Sequence, residues 1–125
     1  MLKPLAAGVA AVALAAAAAP SVFSQASGGL WEVTRAGESP VRLCIADPGV
    51  LAQFEHRGGK CTRSIIRDGG SAATIHYSCG DGGFGQSTVT VLTPRSLRVE
   101  TQGISDNAPF KYTLQARRVG DCPVH

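Results

Sequence analysis

No apolar run in this chain approaches the roughly 20 residues that a membrane-spanning helix needs. The longest uncharged apolar stretch, residues 5–19, has 15. An excess of one charge is missing too. Twelve Lys and Arg stand against 9 Asp and Glu, a formal +3, too little and too evenly spread for a nucleic-acid surface. Arg117-Arg118, the only adjacent basic pair, reads as a solvated strand end. Close cysteine pairs of the C-x-x-C kind, which zinc sites usually bring, are absent. Three histidines, His56, His76 and His125, show no metal-ligand spacing. No Walker-type glycine loop followed by Lys and Ser/Thr occurs, and no G-x-S-x-G elbow holds a nucleophile. Nothing singles out two of Glu32, Glu100 or the aspartates as a glycosidase pair. The sequence thus names no catalytic residue, no cofactor and no metal ligand.

The N-terminus is more informative. Lys3 opens a short positive segment, the apolar run over residues 5–19 follows, and Pro20 ends it. Ser24 and Ala26 then place small residues where a signal peptidase reads, so residues 1–26 are expected to form a helical secretory signal cut after Ala26. No cysteine lies beside that cut, which argues against a lipid anchor. The protein is expected in the periplasm, unanchored, as one domain over residues 27–125. Those 99 residues carry 11 basic and 9 acidic side chains and are enough for one small core.

Four cysteines, Cys44, Cys61, Cys79 and Cys122, lie 17, 18 and 43 residues apart. An even count in a small exported domain implies two disulfides. The segments around Asp68-Gly69-Gly70-Ser71 read as a hairpin. A three-residue loop there pairs position i with 140 − i and sets Cys61 opposite Cys79, Arg63 opposite Tyr77 and Ile65 opposite Ile75. This favours Cys61–Cys79 and leaves Cys44 for Cys122. Spacing alone keeps the other two pairings open.

Alternating apolar and polar residues predict strands over 29–35, 41–46, 61–67, 73–79, 86–92 and 97–102, with a last one carrying Phe110, Tyr112, Leu114 and Ala116 on one face. Between the second and third, Asp47 suits an N-cap, Pro48 the first helical position and Gly58 the exit. A short helix results, with Val50, Leu51 and Phe54 inward. The fold class is all-β: an antiparallel meander or partial barrel of about seven strands with one short helix and two disulfides. The stretch CGDGGFG, residues 79–85, reads as a turn between strands, its glycines supplying positive φ. Asp81 is its only carboxylate, which is too few for calcium. Trp31, Tyr77, Phe110 and Tyr112 are candidates for the core or for a ligand face, with Trp31 and Val33 on the buried side of the first strand. His56, at the helix end, suits the dipole, and His76 is expected to face solvent.

Gly29-Leu30-Trp31-Glu32-Val33-Thr34, the four spaced cysteines and the closing Arg117-Arg118-Val119-Gly120-Asp121-Cys122 together resemble a family of small exported proteobacterial proteins catalogued as a domain of unknown function. The resemblance spans most of residues 29–122. It implies a periplasmic β domain and carries no catalytic residues. Its members are expected to have a longer, often Met-rich segment between Thr34 and Val41. The functional expectation is a non-enzymatic binding or accessory domain for a small apolar ligand or a periplasmic protein partner. The alternative is an inhibitor of a secreted enzyme such as a lysozyme, and an uncharacterised hydrolase comes last.

Overall fold

A computed structural model describes residues 22–124 of the chain. The predicted signal helix over residues 5–19 lies outside these residues. Seven strands form one antiparallel sheet: β1 (Gly29–Arg35), β2 (Val41–Ile45), β3 (Cys61–Asp68), β4 (Ala72–Cys79), β5 (Phe84–Thr93), β6 (Ser96–Ser105) and β7 (Ala108–Gly120). Their spatial order is β2-β1-β7-β6-β5-β4-β3. Five strands therefore meander in sequence, and β1 docks beside β7 to bring β2 to the far edge.

Seven strands, each antiparallel to its neighbour, leave the first and last pointing the same way. Closing β2 onto β3 would thus require a parallel ladder, which needs a crossover rather than a hairpin. The chain makes that crossover with a kinked 3-10 helix, Pro48–His56. The helix packs against β4, β5 and β6, and the sheet stays open between β2 and β3. Asp47 caps the helix, its Oδ1 accepting from the Gly49 N–H at 2.9 Å, and Pro48 opens it as the sequence predicts. Leu51 and Phe54 are buried and Val50 half-buried.

The core lies between this helix and the face of the sheet it packs on. Trp31, Val33, Ile75, Val89, Leu97, Val99 and Leu114 fill it, following the alternation of their strands. The Trp31 indole N–H donates to the Ser27 carbonyl at 3.1 Å. One buried hydroxyl ties helix to sheet: Ser87 donates to the Ala52 carbonyl at 2.5 Å, and its oxygen lies 2.8 Å from Thr101 Oγ1 on the neighbouring strand.

The β3–β4 hairpin has the predicted register from Cys61 to Ile65 but not beside the turn, where Asp68 lies opposite Ala73. Cys61 pairs with Cys79, Arg63 with Tyr77 and Ile65 with Ile75, and a bulge then moves the register by one residue toward the loop. Both disulfides form, Cys61–Cys79 and Cys44–Cys122. Bridges of this kind belong to an oxidising compartment.

Residues 22–26, assigned from sequence to the leader, are built into this domain. Val22 and Ala26 sit in the core, and the Gln25 amide donates to the Gly70 carbonyl at 2.6 Å.

Candidate functional site

The opening between β2 and β3 is a cleft of about 740 Å³. Leu43, Cys44 and Ile45 come from one wall, and Cys61, Thr62 and Arg63 from the other. The helix closes the base of the cleft with half-buried Val50 and the buried Leu51 and Phe54. Each wall is an edge strand held by a disulfide whose cysteine lines the cleft: Cys44 anchors β2 to the C-terminal segment, and Cys61 anchors β3 to β4.

Asp47 and Arg63 bridge the two walls with an ion pair of 2.9 Å. Burial pushes the Asp47 carboxyl up, but the Arg63 hydrogen bond, the Gly49 N–H and the Arg63 charge together hold it below its ordinary 3.8. Further along the cleft, Arg57 lies over the Phe54 ring at 4.3 Å. Its Nη1 donates to the Phe54 carbonyl at 3.0 Å, so the guanidinium is fixed at the cleft margin.

The residues singled out from sequence as core or ligand face do not line this cleft. Trp31 is core. Tyr77, Phe110 and Tyr112 gather instead around the helix C-terminus. His56 Nδ1 lies 2.9 Å from the Tyr77 hydroxyl, and its ring stands 5.8 Å from that of Phe110. The Tyr112 hydroxyl donates to Glu55 at 2.9 Å, and Arg35 stacks on the Tyr112 ring at 3.9 Å. Burial, aided by the Glu55 charge, pushes the Tyr77 hydroxyl up to about 12. Burial and the bond to Glu55 push Tyr112 up as well. Both tyrosines stay neutral and pin the helix to the sheet, Tyr112 as the donor to Glu55 and Tyr77 as the partner of His56.

The glycine stretch is a turn, as read, with the Cys79 N–H donating to the Gly83 carbonyl at 2.8 Å. It has a second purpose that its sequence does not show. A side chain at Gly83 would overlap the His56 ring, and one at Gly85 would come within 2.6 Å of the Tyr77 hydroxyl. These two glycines admit the His56–Tyr77 contact. His76 is exposed, as expected. The Arg117-Arg118 pair is engaged within the fold, with Glu32 at 3.3 Å and Asp121 at 2.7 Å. Among the described residues no group of His, Cys, Asp and Glu could hold a metal ion, and no helix is long and apolar enough to cross a membrane.

Sequence reasoning missed the cleft as a site. Its one local signal was the half-apolar helix Pro48–His56 ending beside Arg57 and Lys60, and its walls are strands that meet only through the sheet order.

The fold and cleft define a small, disulfide-held, open antiparallel β domain. Residues 23–122 match the family described as Protein of unknown function (DUF3617), and the chain belongs to that family. No curated protein and no solved structure matches the chain.

Proposed function

We propose that this protein is a non-enzymatic, exported binding domain that takes a small apolar ligand in the β2–β3 cleft. The observation that carries this reading is the cleft itself, open between two braced walls and lined at its base by half-buried Val50 with the buried Leu51 and Phe54 behind it. Its volume falls in the range of roughly 300–1,000 Å³ usual for small-molecule sites. A protein strand is a poorer occupant. β3 bears a bulge after Ile65, and Arg63 crosses the opening to Asp47; both features discourage edge pairing.

Native mass spectrometry of protein isolated from its own cell envelope tests the reading. A co-purifying mass that disappears in Val50→Asp is expected, because a carboxylate on the floor would have to be desolvated by any apolar occupant. A bare protein whose cleft resonances stay unmoved by every apolar compound tried would refute it.

A further inference from the structure

We propose that the ligand is a long-chain carboxylate, its chain on the apolar floor and its head held by Arg57 and Lys60. This rests on the binding reading above and specifies its chemistry. Four charged side chains line the cleft: Asp47, Arg57, Lys60 and Arg63. Asp47 and Arg63 neutralise each other at 2.9 Å. Arg57 and Lys60 have no acidic partner among the described residues. The cleft is therefore balanced where Arg63 meets Asp47 and cationic where the helix hands over to β3.

Arg57 is prepared for an anion. The Phe54 carbonyl and ring hold its guanidinium still, while Nη1 makes its only side-chain hydrogen bond. The rest of the planar fork is available to a carboxylate, which it matches in two-point geometry. A donor fixed beforehand loses little entropy on binding. The apolar side chains lining the same cleft are Leu43, Ile45, Val50, Leu51 and Phe54, and the lining holds no other unpaired charge. One anionic end and one unbranched apolar body satisfy both halves of the site.

Dodecanoate, dodecan-1-ol and dodecyltrimethylammonium, each added below its micelle concentration to the disulfide-bonded protein, separate the contributions of head and chain. Amide chemical shifts report both affinity and position. Dodecanoate is expected to move the Leu43, Val50 and Gly59 amides and to bind roughly tenfold more tightly than the alcohol, an advantage that shrinks as salt is added. The double variant Arg57→Gln, Lys60→Gln should lose that advantage and keep its affinity for the alcohol. Both side chains are exposed, so its spectrum should remain that of the folded protein. Equal affinity for acid and alcohol, tighter binding of the ammonium compound, or an unchanged acid preference in the double variant would overturn the carboxylate assignment while leaving the cleft as a binding site. If none of the three compounds moves the cleft amides, both readings fall.

Discussion

Val22 provides a direct test of where the folded domain begins. Its side chain is fully buried against the sheet, 0% exposed, although it precedes the cut predicted after Ala26. Val22→Ala removes two carbon groups worth about 0.8 kcal/mol each and leaves a cavity, a combined loss of about 2 kcal/mol. For a domain of about 100 residues that lowers the melting temperature by roughly 8–16 °C. The effect appears only if Val22 is part of the mature chain. The assay is thermal denaturation of protein purified from the cell envelope, wild type beside Val22→Ala, with an intact mass recorded for each. The expected N-terminus lies at or before Val22; Ala19 and Ser21 supply the small residues a peptidase needs for a cut after Ser21. A mature chain that starts at Ser27 and melts at one temperature in both preparations would refute the argument.

Two further outcomes follow from the fold. Opening the bridges should unfold the domain, because loops of 18 and 78 residues restrict the unfolded chain by about 3 and 4.5 kcal/mol in the chain-entropy account, close to a small domain's net stability of about 5 kcal/mol. Melts with and without reductant check this, and equal midpoints would contradict it. The two tyrosines should show no ionisation near pH 10. Both are raised in the folded chain, so the stability they contribute is complete below pH 10 and is lost as pH rises, for Tyr77 through about 12. Absorbance at 295 nm against pH should rise late and together with loss of near-ultraviolet dichroism. A tyrosinate signal at pH 10 in a still folded protein would show that the hydroxyls are not held by Glu55 and His56.

Much of this architecture is visible along the chain because strand character is local. Side chains alternate across a strand with period two, so Trp31 and Val33, or Leu97 and Val99, declare a buried face without knowledge of their neighbours. Turn chemistry is local as well. The Gly69–Gly70 turn located the hairpin, but the register beside it is offset by one residue, and the bulge after Ile65 is what brings Cys61 opposite Cys79. The helix cap at Asp47 and Pro48 was equally plain.

Strand order is not a local property. Nothing in Gly29–Arg35 says that it lies beside Ala108–Gly120, and that one placement leaves β2 and β3 as parallel edges with a cleft between them. The charge state of the cleft is likewise tertiary. Arg63 is silenced by Asp47 because the opening brings them together, while Arg57 and Lys60, close by in sequence, stay unpaired. Small residues at Ser24 and Ala26 satisfy a local cleavage pattern, but only the packed structure shows Val22 enclosed by the sheet. The sequence by itself determined strands, turns and the face each residue prefers, since these depend on neighbours a few positions away, and it favoured one pairing of the cysteines without closing the others. The tertiary structure alone decided which edges stay open and which charges remain uncompensated, since those depend on residues that meet only after the chain has closed on itself.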